Sequence, residues 1–181
     1  MKIMNIQRLP YSTRFSVADM VSAFRLERGV VLGIDDAMFA RHLLESSGLS
    51  SLWAVDPYKL QYRTYRISSA RIELSHFGDR ARMLHMTSAA ACQIARDENQ
   101  TFDFAYVDIG SIDLLHEWMP LMNRPALIGG YHLTRRFKRN VKVRANHRNE
   151  LRSAATFAAS YNMPIYITGE HWCTWLAILN K

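Results

Sequence analysis

The chain has 181 residues, 49% hydrophobic and 22% charged, the size and balance of a single globular domain with one substantial core. No apolar run is long enough to span a bilayer, and the opening MKIMNIQRLP lacks the continuous apolar stretch of a secretory leader, so a cytoplasmic location without membrane contact is expected. Cys92 and Cys173 lie far apart and supply neither a disulfide framework nor a thiolate metal site, while the net charge of +7 favours anionic partners.

Short apolar runs alternate with longer amphipathic stretches, the pattern of βαβ units around a largely parallel sheet. Residues 1–28 read as an N-terminal helical extension, with a helix from Val17 to Leu26 and Ser16 as its N-cap. Gly29 to Ile34 is a buried strand, too short and too β-branched for a helix. Ala37 to Ser47 follows as a helix with Phe39, Leu43 and Leu44 on one face, closed by Gly48 as a C′ glycine. Ser51 to Val55 is the second strand, stopped by Asp56-Pro57. A helix from Tyr65 to Phe77 turns Ile67, Ala70, Ile72 and Leu74 inward. Arg82 to Met86 is a strand, Ser88 to Arg96 a helix, Phe102 to Val107 a strand, and Ile112 to Met122 a helix. Ala126 to Gly130 is the fifth strand and Asn149 to Tyr161 the last helix. Ile165 to Thr168 and Trp172 to Leu179 close the chain as an antiparallel pair. The expected architecture is one α/β Rossmann-like domain over residues 1–181, a mostly parallel seven-stranded sheet with helices on both faces.

Doubly wound sheets bind ligands beyond the carboxyl ends of their strands, so candidate site residues are sought there. Gly33 ends the first strand, where the lack of a Cβ lets backbone approach a ligand; the alternative is a plain turn with Asp36 capping the next helix. Asp56 ends the second strand, roughly twenty residues on, where a carboxylate can accept both hydroxyls of a ribose; the alternative is a turn aspartate. Thr87-Ser88 after the third strand can bond an adenine edge or, more simply, cap a helix. Asp108 at the tip of the fourth strand faces the crevice, and Ser111 can do the capping there instead. His132, after Gly129-Gly130-Tyr131, is a candidate general base because imidazole titrates near neutrality; the alternative is an idle loop histidine. The remaining histidines show no ligand spacing, which leaves no metal site. The run Arg135, Arg136, Lys138, Arg139, Lys142, Arg144, Arg148 contains no acid, and reads either as a solvated basic stretch or as a patch for phosphates and acidic ligands.

The ordered segments VLGIDDAMFARHLLE, LWAVDPY, GDRARMLHMTSAAA, FDFAYVDIGS, PALIGGYHL and TGEHWCTWL, from Gly29 to Leu176, resemble the class I S-adenosylmethionine-dependent methyltransferases, and among them a family acting mostly on small molecules. The resemblance implies S-adenosylmethionine (SAM) as cofactor. It implies that Gly33, Asp35 and Asp36 border the methionine part, that Asp56 binds the ribose, that Met86, Thr87 and Ser88 neighbour the adenine, and that Asp108 lies beside the transferring methyl. The sequence departs from that family's pattern at Val31, where an acid is usual, and at Ala37, where a second glycine is usual. It lacks the usual histidine after the fourth-strand aspartate, and Tyr131-His132-Leu133 replaces the usual His-Asp pair after the fifth strand.

Three functions follow as expectations. The first is O- or N-methylation of a small-molecule acceptor, with Asp108 or His132 assisting deprotonation. The second is a methyltransferase-fold binding protein that no longer catalyses, suggested by Val31 and Ala37. The third is a nucleic-acid methyltransferase, suggested by the basic run, which would neutralise phosphates but carries no interleaved aromatics for base stacking. Homo-oligomers are compatible with all three.

Overall fold

The structure is a computed structural model and describes residues 6–9, 12–58, 64–108, 111–131, 142–170 and 173–180. Among these, eight strands form one sheet: β1 (Gln7–Leu9), β2 (Arg28–Leu32), β3 (Ser51–Val55), β4 (Ala81–Leu84), β5 (Phe102–Val107), β6 (Met122–Tyr131), β7 (Ile165–Thr168) and β8 (Thr174–Leu179), in the spatial order β1-β7-β8-β6-β5-β2-β3-β4. Every pairing is parallel except those of β8, which runs antiparallel to both β6 and β7. Six α-helices among the described residues accompany them: α1 (Val17–Ala23), α2 (Met38–Ser46), α3 (Thr64–Ser75), α4 (Ser88–Asp97), α5 (Leu114–Trp118) and α6 (Lys142–Ser160).

The central strands read as unbroken apolar runs because helices cover both of their faces. Alternate residues serve alternate layers. Val30, Leu32, Trp53, Val55, Ala105 and Val107 pack with residues of α4, α5 and α6. Val31, Leu52, Ala54, Phe104 and Tyr106 pack with residues of α1, α2 and α3. Each fully buried Leu, Val or Phe is worth roughly 1.5–3 kcal/mol of transfer free energy, so these two layers fix the register of the sheet.

Two glycines of β6 are needed for close packing. A Cβ on Gly129 would stand 2.7 Å from Leu176 Cδ2 and 2.8 Å from the Trp175 carbonyl oxygen; one on Gly130 would stand 2.7 Å from Trp175 Nε1. Their bare backbone lets the antiparallel β8 lie against the parallel core.

The sheet has eight strands rather than seven. The extra one, β1, lies in the stretch read as purely helical, and it pairs Gln7, Arg8 and Leu9 with Tyr166, Ile167 and Thr168. Three polar or half-exposed residues at a sheet edge carry no hydrophobic alternation to reveal them. Gly48 is not a left-handed cap. The positive-φ glycines among the described residues are Gly33 and Gly78, and α2 ends on Ser47, whose amide and hydroxyl both donate to the Leu43 carbonyl at 3.0 and 2.6 Å. Ile72 is 63% exposed: two residues beyond the inward Ala70 is about 200° round the helix, which turns it to solvent. The helix expected from Ile112 to Met122 is shorter, because Met122 already begins β6. The last helix starts earlier than Asn149, at Lys142.

Candidate functional site

β2, β3, β4, β5 and β6 all end on one edge of the sheet. β2 and β5, neighbours in space but not in sequence, make the point where the winding reverses. The turn after β2 is built from left-handed backbone, with φ of 80° at Gly33, 54° at Asp35 and 65° at Ala37. Glycine takes that conformation freely, whereas an alanine there costs roughly 1–2 kcal/mol. The Ala37 methyl is fully buried in the apolar layer with Phe39, Ala40 and Leu43, so it belongs to the core. Asp36, not Ala37, supplies the side-chain acceptor at the start of α2, taking the Met38 amide at 3.2 Å.

Asp56, at the end of β3, is 2% exposed. Its Oδ2 accepts from the Asp35 amide at 3.1 Å and its Oδ1 from the Tyr58 amide at 2.8 Å. The carboxylate therefore ties the tips of β2 and β3 together. The Tyr58 hydroxyl donates to the Asp35 carbonyl at 2.7 Å, and the Asp35 carboxylate is ion-paired with Arg66 of α3. After β4, Met86 is half-buried against the core, Thr87 caps α4 by accepting from the Ala90 amide at 3.3 Å, and Ser88 accepts from the Trp118 indole at 2.9 Å. The capping reading of the Thr87-Ser88 corner is thus realised.

Asp108 follows β5 and is 5% exposed. Its amide donates to the Leu32 carbonyl at 2.9 Å, which holds it at the junction of β5 and β2. Its Oδ2 is ion-paired with Arg14, from the short 3-10 turn Arg14–Ser16 before α1. The Arg14 guanidinium lies 4.2 Å from the Phe39 ring centre and 4.8 Å from that of Tyr131. Among the described residues, Asp108 Oδ1 and Arg14 Nε are buried without a hydrogen-bond partner. Burial pushes the Asp108 carboxyl up to about 6; the Arg14 charge pulls it down, and the charges of Asp36 and Asp56 push it up. Beneath this cluster the fully buried Tyr106 hydroxyl pairs with Thr174 Oγ1 at 3.0 Å, and burial raises its phenol further from ionisation.

The structure thus brings Gly33, Asp35, Asp36, Asp56 and Asp108 together at one edge, with Met86, Thr87 and Ser88 following the neighbouring strand. His132 lies outside the described residues, as do Arg135, Arg136, Lys138 and Arg139 of the basic run. Lys142, Arg144 and Arg148 stand on α6. No group of three or more His, Cys, Asp or Glu side chains among the described residues is arranged to hold a metal ion. Among them too, no helix is long and apolar enough to cross a membrane. Arg14, Arg66 and Tyr58 are members of the cluster that the sequence did not reveal. A lone arginine paired across 94 positions leaves no local pattern.

No protein-family model matches the chain, and no curated protein matches it by sequence. Solved structures do match it in shape. A putative caffeoyl-CoA O-methyltransferase from Staphylococcus aureus aligns at TM-score 0.73 and 12% identity, covering 91% of this chain and 81% of its own. An O-methyltransferase from Bacillus cereus, in complex with SAH, aligns at TM-score 0.69 and 13% identity, covering 91% and 79%. An O-methyltransferase of tomaymycin synthesis from Streptomyces achromogenes, in complex with SAM, aligns at TM-score 0.68 and 12% identity, covering 93% and 79%. The chain has the class I methyltransferase fold. In that fold the expected run of parallel strands ending in an antiparallel strand is realised, with β8 inserted between β6 and β7 and β1 added at the far edge.

Proposed function

We propose that this protein is a SAM-dependent methyltransferase that methylates an oxygen or nitrogen of a small-molecule acceptor. The observation that carries the reading is the gathering, at the switch point of this fold, of the Gly33 turn with the carboxylates of Asp56 and Asp108 on flanking strands. Asp108 fits such a ligand because one of its buried oxygens has no partner among the described residues, a costly state unless something fills it. Gly33 through Asp36 would border the methionine portion, Asp56 the ribose, and Met86 to Ser88 the adenine. A carboxylate oxygen is the acceptor that ribose hydroxyls call for, and Asp56 places one at the end of the strand beside the Gly33 turn. When bound, SAM supplies an electrophilic methyl group. The protein's part is alignment of the acceptor in a dry crevice, with proton removal by Asp108, whose carboxyl near 6 suits a base working close to neutrality; His132 is the second candidate base. Anionic acceptors suit the net positive charge, and a cytoplasmic setting suits the chemistry.

Isothermal titration with SAM and S-adenosylhomocysteine (SAH) tests this reading. Binding in the micromolar range, lost in Asp56→Asn, is the expected result. No heat from either ligand with folded protein at about 1 mM ligand, a concentration that reveals even weak sites, would overturn it. A second reading, a binding protein that keeps the fold without catalysis, is favoured by one observation: guanidinium groups already sit on Asp35 and Asp108. Turnover of any acceptor disposes of it.

A further inference from the structure

Arg14 does not sit in its place as an ordinary surface arginine. Its charge meets a carboxylate that is 5% exposed and two aromatic rings, at 4.2 and 4.8 Å from their centres. Asp108, Phe39 and Tyr131 come from three separate places, the residue after β5, α2 and the end of β6, and converge on one point. A carboxylate below and aromatic faces around it form the arrangement proteins use to hold a positive charge out of water. Arg14 reaches this point from outside the α/β unit, from the segment between β1 and α1. That segment is stitched to the sheet by the Gly169 amide, which donates to the Ser12 carbonyl at 3.1 Å. The fit of the guanidinium is incomplete: Arg14 Nε and Asp108 Oδ1 are both buried and both lack a hydrogen-bond partner among the described residues. A group that fills a site imperfectly is one that a better-matched group can displace.

We propose that the Asp108–Phe39–Tyr131 cage is a ligand site for a positive charge, occupied in the free protein by Arg14 and yielded to the cationic centre of the methyl donor. This rests on the methyltransferase reading for the identity of the donor, but not for the existence of the cage. SAM carries a sulfonium cation, whereas SAH carries a neutral thioether. Exchange of one cation for another keeps Asp108 paired throughout; entry of SAH in place of Arg14 leaves the carboxylate bare. Arg14 is therefore a specificity-determining residue. It lowers the affinity of the crevice for the cationic donor, which must displace it, by the fraction of time the cage is open, whereas neutral SAH, which cannot replace the lost charge on Asp108, binds with Arg14 left in place.

The test uses the whole chain with Arg14→Ala and Arg14→Gln. The glutamine keeps a donor for Asp108 and serves if the alanine variant does not fold. In thermal unfolding, methylguanidinium chloride at millimolar concentration is expected to stabilise R14A and leave the wild type unmoved. In titration, R14Q is expected to bind SAM about tenfold more tightly than the wild type, with SAH changing much less, since removing an internal competitor restores the intrinsic affinity. Equal effects of methylguanidinium on R14A and wild type, or weaker SAM binding in a folded R14Q, overturn the proposal. If methylguanidinium stabilises R14A while no form binds SAM or SAH, the cage stands as a cation site and it is the methyltransferase reading that falls.

Discussion

Replacing Asp108 by asparagine separates two forces that act on its carboxyl in opposite directions. Burial disfavours the ionised form; the guanidinium of Arg14 favours it. Burial wins, and the carboxyl rises from the ordinary 3.8 to about 6. A carboxyl raised in the folded state binds its proton more tightly there than in the unfolded chain. Its contribution to stability is therefore complete below about pH 3.8 and is lost as the pH climbs through about 6. At 1.36 kcal/mol per pH unit, that gap is worth about 3 kcal/mol. An asparagine side chain has no proton to take up, so the wild type is expected to gain about 3 kcal/mol over D108N between about pH 7.5 and pH 3. For a domain of this length that corresponds to about 6–12 °C in Tm. Urea unfolding of both proteins across that range measures it, and comparing the two cancels the acid sensitivity they share. A difference that stays flat, or that narrows as the pH falls, would show that Arg14 keeps Asp108 ionised and would refute the reasoning from burial.

Asp56→Asn keeps one acceptor where Asp56 uses two for the amides of Asp35 and Tyr58; stability is expected to fall by about 1–3 kcal/mol in denaturant titration, together with the loss of SAH binding. Gly129→Ala places a methyl 2.8 Å from the Trp175 carbonyl oxygen, and about 1–3 kcal/mol of overpacking strain should appear as a lower Tm. Ile72→Ser changes a side chain that is 63% exposed and should shift stability by no more than about 0.5 kcal/mol in the same assay.

The architecture was legible because most of its strands are buried on both faces. Runs such as Ser51 to Val55 and Phe102 to Val107 are short, apolar and β-branched or aromatic, and their limits fall where the structure puts them. The strand-end acids were legible for the same reason: once a strand's end is known, the next residue lies at the crevice edge. What stayed hidden depends on contacts far apart in sequence. β1 is set by pairing with β7, not by its own composition. The partners of Asp35 and Asp108 are arginines that nothing local distinguishes from the chain's other basic residues. Position alone marked Asp56 as an acceptor for a ligand; the structure shows both of its oxygens engaged by backbone amides, which no spacing argument could have foreseen.

The stitching of β1 to the outer edge has a mechanical side. β1 runs parallel to β7, and so leaves the sheet on the same edge as β2, β5 and β6. From there four strand spacings, about 19 Å, separate it from β5. The five residue-to-residue steps from Leu9 to Arg14 span at most about 18 Å even when stretched. The arginine side chain has to cover what the main chain does not, so this tether has little slack. Lengthening it by a few residues, or unzipping its three-residue anchor, would let go of the guanidinium at the crevice without touching any residue there.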